Sequence, residues 1–143
     1  MRRVWGMTLL AGAGMGLLLA PHHVLAQACT DETSMVESSK QSLMELTETV
    51  KKESLQDFQR LNYQKSVVNK LGVHDSMLGG LVSCLDTAAQ DTTAPKELAE
   101  AARAQHDAAA KLQEKIRHAR AAIKDAHTPK EAKALTEKLD LTS

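Results

Sequence analysis

Cysteine and histidine are the residue types in this chain that could bind a metal ion or react with a substrate. Beyond residue 28 there are two cysteines, Cys29 and Cys84, and four histidines, at positions 74, 106, 118 and 127. The last three histidines are twelve and nine residues apart, so no two of them lie on one helix face within a turn, as a helical zinc site requires. A mixed site of His74 and Cys84 is the alternative. We interpret three histidines as exposed on helices and His74 as part of a turn, and we predict no metal site.

A haem would need two axial ligands, and the sequence supplies only one of them. Met35 lies near the start of the chain that follows residue 28, where small exported bundles of the b-type cytochrome kind place a methionine ligand. The last predicted helix has no histidine to complete the pair, and there is no Cys-x-x-Cys-His motif for covalent attachment. The motifs of serine hydrolases, zinc proteases and phosphate-binding loops are also missing from the sequence. We therefore expect no bound cofactor and no catalytic activity.

The first 28 residues have the order of a secretory signal peptide. Arg2 and Arg3 are followed by an apolar stretch at residues 4–20 and by a small-x-small sequence that ends at Ala28, which predicts cleavage after Ala28. The alternative is a transmembrane anchor. The apolar stretch is interrupted by four glycines, and its 17 residues are at the lower limit for crossing a bilayer. We therefore predict an exported protein, either periplasmic or secreted.

Export determines what we expect of the two cysteines. In an oxidising compartment two cysteines are more often bonded than free, so we predict a disulfide between Cys29 and Cys84. A lipid anchor on Cys29 is the alternative, because cleavage after Ala28 would make Cys29 the first residue. The lipid-attachment motif needs a branched apolar residue three positions earlier, where this chain has Ala26. The disulfide is the better interpretation.

Charge and aromatic content restrict the range of partners. The whole chain has 18 basic and 18 acidic residues, and because Arg2 and Arg3 lie in the signal, residues 29–143 have a formal charge of −2. A balanced charge gives no general attraction to nucleic acid, and an aromatic content of 2% leaves little for stacking on bases. After residue 28 no apolar stretch reaches transmembrane length. We expect neither a nucleic-acid partner nor a membrane span in the mature chain.

The spacing of apolar residues predicts an all-α protein. The predicted helices cover residues 33–71, 76–89, 96–127 and 129–140. The first could break at residues 53–54, because Ser54 followed by Asp57 resembles a capping box. Gly72 begins a predicted turn over residues 72–76, and Thr128 with Pro129 indicates the start of the last helix.

The helix predicted at residues 96–127 has the most regular apolar pattern. Apolar residues alternate by three and four positions, which predicts a partner helix along the whole length. We call these residues the alanine seam: Leu98, Ala102, Ala109, Leu112, Ile116, Ala119 and Ile123. The pattern as a whole predicts one helical domain over residues 29–143, built as a small bundle of antiparallel, coiled-coil-like hairpins.

The predicted disulfide is incompatible with a straight first helix. Residues 33–71 would form a helix about 57 Å long, and an antiparallel second helix would return only about 20 Å before reaching Cys84. A disulfide requires Cα atoms within about 7 Å of each other. We therefore favour the break at residues 53–54, which lets the first segment fold back.

These observations favour an accessory subunit or protein-interaction module of the cell envelope, without catalysis of its own. The alanine seam and the apolar stretch at residues 77–85 would be its contact surfaces, either for another protein or for self-association. The alternative function is a ligand carrier of the bundle type, which would hold haem, a metal or a small apolar molecule.

Overall fold

The computed structural model describes residues 29–142, and these form helices joined by short connections. The predicted signal segment and its cleavage site lie outside the described residues. The helices are α1 (Thr30–Lys52), α2 (Leu55–Arg60), α3 (Tyr63–Ala89), α4 (Lys96–Lys124) and α5 (Pro129–Glu137). The prediction of an all-α bundle is confirmed.

Helix α3 is the centre of the bundle. Helix α1 packs against one side of it and α4 against another, both antiparallel to α3. The antiparallel directions follow from two cross-links, the Cys29–Cys84 disulfide between α1 and α3 and the hydrogen bond that Gln64 Nε2 donates to the Ile123 carbonyl oxygen, 2.8 Å away. Helix α5 folds back along α4 and also contacts α1, α2 and α3. All five helices of the described chain therefore meet at the α5 end, whereas α1, α3 and α4 form the opposite end.

The break predicted at residues 53–54 is confirmed, and it has a clear local cause. Helix α1 ends at Lys52, Glu53 has an extended backbone, and Ser54 caps α2 by accepting a hydrogen bond from the Asp57 backbone N–H at 3.0 Å. A second break at Asn62 was not predicted. Asn62 has φ of 54°, a left-handed conformation that asparagine adopts more readily than most residues. The two breaks turn the chain back on itself, so that α3 returns along α1.

The turn predicted over residues 72–76 is wrong, because α3 continues through it. Leu71, His74 and Leu78 are spaced by three and four residues and are all buried, so this segment contributes one continuous apolar face to the core. Gly72 is compatible with the helix because the Arg120 guanidinium covers it, 3.0 Å from where a Cβ would be. Arg120 Nε also donates to the Val68 carbonyl oxygen at 3.2 Å. Packing on both sides outweighs the helix-propensity cost of one glycine, about 1 kcal/mol.

The start of the last helix is as predicted. Thr128 Oγ1 accepts a hydrogen bond from the Glu131 backbone N–H at 3.2 Å, and Pro129 begins α5. The Glu131 carboxylate in turn accepts a hydrogen bond from the His127 backbone N–H at 3.0 Å. The last two helices both end three residues earlier than predicted, at Lys124 and Glu137.

Removing either cap oxygen should destabilise the protein. We expect Ser54→Ala and Thr128→Ala each to lower the free energy of unfolding by about 1 kcal/mol, because each leaves a backbone N–H at a helix start without its partner. Urea unfolding followed by circular dichroism measures the change. Ser83→Ala is the control, since Ser83 is an exposed serine inside α3 and caps no helix. An equal loss in the control would contradict the capping roles.

The core follows the contact between α3 and its neighbours. Its largest fully buried side chains are Phe58, Leu43, Leu71, Leu78, Ile116 and Ile123. Near the disulfide the buried residues are smaller and include Ala89, Ala102 and Ala109. Within residues 29–142, no helix combines the length and the apolar character that crossing a membrane requires.

Candidate functional site

The predicted disulfide is present and closes the end of the bundle away from α5. Cys29 and Cys84 are joined with a Cα–Cα distance of 6.0 Å, which ties the start of α1 to the last third of α3. Cys29 is buried, with 1% of its surface exposed. A sulfur atom in a disulfide cannot also carry the thioether of a lipid anchor, so the bond excludes the alternative fate of Cys29 for this form of the protein.

One group of possible metal ligands lies at the disulfide. Among residues 29–142, ligand atoms of Cys29, Glu32 and Cys84 are within 4.8 Å of one another. The two sulfur atoms are bonded to each other, and a metal binds the thiolate rather than the disulfide. This group can therefore bind a metal only after reduction. His74, which the sequence analysis considered as a partner of Cys84, is not part of the group.

His74 lies in a helix and is buried, which corrects the prediction that it is part of a turn. It belongs to α3, and none of its surface is exposed. Its Nδ1 atom lies 2.6 Å from Ser39 Oγ of α1, and the same hydroxyl lies 2.9 Å from the Val36 carbonyl oxygen. Within the described chain, His74 Nε2 is a buried polar atom without a hydrogen-bond partner.

The two contacts of Ser39 determine which ring nitrogen of His74 carries the hydrogen. A hydroxyl has one hydrogen, and if Ser39 donates it to Val36, then His74 Nδ1–H donates to Ser39 and Nε2 is left as a bare acceptor. This arrangement satisfies both Ser39 and Nδ1. A second proton on Nε2 would place an ionic N–H in the core without an acceptor. Burial accordingly lowers the pKa of His74, and the Lys40 ammonium adds to that effect while Glu37 and Asp75 oppose it.

The Ser39–His74 pair has part of the geometry of a nucleophile and its base. Enzymes that use such a pair add a third group to orient the histidine and backbone donors to stabilise the oxyanion. Here no side chain of residues 29–142 hydrogen bonds to Nε2, and Ser39 lies inside α1, whose backbone N–H groups are used in the helix. The pair is arranged as a buried polar link between α1 and α3.

The other three histidines lie at or near the surface. His106 is partly buried, with Nδ1 3.1 Å from an Asp107 carboxylate oxygen, and His118 lies on α4, 3.6 Å from a Glu114 carboxylate oxygen. His127 lies in the connection between α4 and α5. Met35, the residue considered as a haem ligand, is 51% exposed on α1.

The alanine seam packs against this chain's own α3. Its fully buried members are Ala102, Ala109, Ile116 and Ile123, whereas Leu98, Leu112 and Ala119 are partly buried. Within the apolar stretch at residues 77–85, Leu78 and Leu85 are also buried. The partner helix that the seam predicts is therefore supplied within the chain, and a second protein could reach the buried members only if α3 and α4 separated.

A surface groove between α1 and α3 has no charged lining. We call it the serine–methionine groove, and it is lined by Ser34, Met35, Ser38, Ser39, Ser42, Val73 and Met77. Met35 and Val73 are 51% and 50% exposed, and they lie among hydroxyl groups. Ser39 is at its floor, with His74 directly behind. No motif in the sequence predicts this groove, although the four-residue spacing of Ser34, Ser38 and Ser42 places an uncharged stripe on one side of a charged helix.

Gly80 continues the exposed face of α3 beyond Val73 and Met77. A Cβ on Gly80 would meet nothing within 4 Å, whereas a Cβ on Gly79 would lie 3.1 Å from the Gln113 amide nitrogen. Helix α4 therefore approaches Gly79 through the Gln113 side chain, whereas Gly80 has open space beside it. Nothing in the described chain compensates the helix-propensity cost of Gly80.

The two adjacent glycines should respond differently to the same substitution. We expect Gly80→Ala to raise the free energy of unfolding by about 1 kcal/mol, since alanine favours the helix and here has open space. Gly79→Ala should raise it less or lower it, because Gln113 must move and its amide donates to an Asp75 carboxylate oxygen at 2.8 Å. Thermal unfolding at micromolar protein concentration compares the two. Equal gains would show that the contact with Gln113 has no effect.

Comparisons of the chain with protein-family models, with curated proteins and with solved structures find no match. The evidence for a function therefore comes from features of the chain itself. Three are candidates: the disulfide with Glu32, the buried Ser39–His74 pair, and the serine–methionine groove.

Proposed function

We propose that this protein is an exported interaction module or accessory subunit of the cell envelope, without catalysis of its own. The observation that carries the proposal is the serine–methionine groove, which exposes Met35 and Val73 between two helices that are fixed to each other. Neighbouring exposed apolar side chains that form one patch are more typical of contact sites than apolar residues scattered singly over a surface.

Export is supported by two independent features. The order of charge, apolar stretch and small residues before Cys29 is that of a signal peptide. The disulfide between Cys29 and Cys84 fits an oxidising compartment, where such bonds persist. Neither feature depends on the groove, so the location and the contact surface can be tested separately.

An interaction role fits the described residues better than a carrier role. Large side chains fill the core between α1, α3 and α4, and the concave surfaces are open grooves at helix contacts. A bundle-type carrier needs an enclosed site with a few convergent polar groups. The specific observation behind the carrier alternative is the group of Cys29, Glu32 and Cys84, which requires reduction before it could hold a metal.

The location and the carrier alternative can be tested on one sample. We expect protein purified from the periplasm of a bacterial expression host to have the mass of residues 29–143 less two hydrogens, which reports cleavage after Ala28 and the disulfide together. Elemental analysis and a visible spectrum of the same sample should show neither stoichiometric metal nor haem. A metal content near one per chain would contradict the proposal and favour the carrier.

The contact surface can be tested in cells of the source organism. We expect a photoreactive amino acid at position 35 to give protein adducts, whereas the same amino acid at position 44 should give few. Met44 is the matched control because it lies on α1 with nearly the same exposure, 49% compared with 51%, but lines a different groove. Equal adducts at both positions, or none at either, would contradict the proposal.

A further inference from the structure

We propose that the serine–methionine groove is the contact surface of a symmetric homodimer, so that a second copy of this chain occupies it. The inference depends on the proposed function, since it names the partner of that same surface. In a symmetric dimer the same surface meets itself, so it has to be complementary to its own copy. Two features of the groove make it complementary to its own copy, and a third holds it in shape before binding.

The first feature is the missing charge. None of the seven residues that line the groove carries a charge, and the buried His74 lies behind Ser39 rather than in the lining. Lys70, at one end, contacts the Ser42 hydroxyl with its ammonium group. At the groove itself, two copies can therefore meet without placing like charges opposite each other, an arrangement that otherwise costs several kcal/mol. A different partner is usually selected through complementary charges, which this surface does not offer.

The second feature is the chemistry of the side chains that are present. A serine hydroxyl both donates and accepts hydrogen bonds, so Ser34 and Ser38 can pair with the same residues of a second copy. Met35 and Val73 expose apolar surface that would be covered in such a contact. Gly80 has no side chain, so the α3 backbone is exposed next to the groove, and no atom of the described chain lies within 4 Å of where its Cβ would be. The helix of a second copy would approach closely there.

The third feature is that the two walls of the groove are held in place before binding. The Cys29–Cys84 disulfide joins α1 to α3 beyond one end of the groove, and the Ser39–His74 hydrogen bond joins them at its floor. Lys70 and Ser42 add a contact at the other end. A surface that does not rearrange on binding loses less conformational entropy, and so retains more of the contact energy.

The size of the face is sufficient for a weak dimer. The face of α3 that carries the groove continues past it toward the disulfide, where Glu32 and Asp91 are among the residues that line a second concave surface. From Lys70 to Thr87 this face is about 26 Å long. Two packed helices present a width of about 20 Å. Each copy would then contribute about 500 Å², which gives about 1,000 Å² in total and reaches the lower limit of specific interfaces. We expect a reversible dimer whose population depends on concentration.

Sedimentation equilibrium of the protein purified from the periplasm tests the proposal. We expect a monomer–dimer equilibrium between about 1 µM and about 1 mM, which is the range of a weak interface. Met35→Glu and Val73→Glu should each weaken the dimer at least about tenfold, because each places like charges near the symmetry axis. Met44→Glu, on the other side of α1, should leave the equilibrium unchanged. Circular dichroism confirms that each variant is folded.

Several results would overturn the proposal. A monomer over the whole range would do so, as would a dimer that both groove variants leave intact. Adducts from position 35 in cells to a different protein, with none between two copies, would also reject the homodimer but would leave the proposed function standing. Absence of any adduct from position 35 would reject both. A cross-link from position 35 to a second copy of the chain, which Val73→Glu in the same chain abolishes, would support the inference.

Discussion

Replacing both Cys29 and Cys84 by serine is expected to lower the free energy of unfolding by about 4 kcal/mol, because the disulfide closes a long loop in the unfolded chain. The two cysteines are 55 positions apart, and the entropy lost by the unfolded state grows with the logarithm of that separation. For a domain of this size, the loss corresponds to a decrease in melting temperature of about 15 °C. Thermal unfolding by circular dichroism or calorimetry measures it.

Reduction provides the matched control for this substitution. Treating the wild-type protein with a phosphine reductant should lower its melting temperature to that of the double serine variant, and the same treatment should not affect the variant. A variant as stable as the oxidised wild type would contradict the role of the disulfide. If reduction lowered the melting temperature of the variant as well, the effect would not come from this bond.

The location of the disulfide explains why its loss should lower the free energy of unfolding substantially. At its end of the bundle most buried residues are small, because Ala89, Ala102 and Ala109 lie there and Leu85 is the one large side chain in these two buried clusters. Alanine buries little apolar surface, so each residue there contributes less to stability than a leucine or phenylalanine does. Helix α5 does not cover this end. The covalent bond therefore holds α1 to α3 where packing is weakest.

Much of the fold could be predicted from local signals. The starts of α4 and α5 and the break after Lys52 followed from rules that involve neighbouring residues, such as caps and a proline in the first turn, whereas the disulfide followed from the predicted export of the protein. The break was predicted by combining two of them, since Cys29 could reach Cys84 only if the first segment folded back. Caps and first-turn prolines act through residues that are neighbours in the sequence, and no tertiary contact overrides these signals here.

What could not be predicted depends on contacts between distant residues. Gly72 reads as a helix end in sequence, but Arg120, nearly fifty positions later, covers it and α3 continues. Asn62 has a left-handed backbone conformation, and no pattern in the neighbouring residues predicts a turn there. The groove was missed for the same reason, because its two walls come from α1 and α3 and only the fold places Met35 beside Val73. Apolar periodicity finds the core more easily than it finds a surface of mixed serine and methionine.

His74 was predicted to lie in a turn, but it is buried inside α3. Because it is buried, we expect it to make the protein less stable in mild acid. Burial lowers its pKa in the folded state below the ordinary histidine value of about 6.5, with Lys40 acting in the same direction and Glu37 and Asp75 against it. As the pH falls through about 6.5, the unfolded chain therefore takes up a proton before the folded chain does. His74 contributes stability above that pH, and the contribution decreases as the pH falls toward the folded pKa, with a slope of at most about 1.4 kcal/mol per pH unit.

Carboxylates affect a different part of the pH range. The pKa of Asp57 is lowered by its hydrogen bonds with Arg60 and Ser54, and the Lys115 ammonium and Thr142 hydroxyl hold the pKa of Asp140 well below its usual range. For both groups the folded pKa lies below the unfolded one, so their stabilising effect is present above about pH 4 and decreases at lower pH. Measurements above about pH 5 are therefore made outside the range in which these two carboxylates change the stability.

The experiment compares the pH dependence of stability in three proteins. We expect the free energy of unfolding of the wild type, from urea titrations at low micromolar concentration, to decrease between about pH 7.5 and about pH 5. His74→Asn should be less stable at neutral pH but should have a flatter dependence, because the amide can still donate to Ser39 and does not titrate. His118→Asn should keep the wild-type slope, since the His118 side chain is 78% exposed. His74→Asn removes one titrating group, the imidazole whose Nε2 has no acceptor in the core. If the free energy of unfolding of this variant depended on pH as steeply as that of the wild type, protonation of His74 would not be what destabilises the fold.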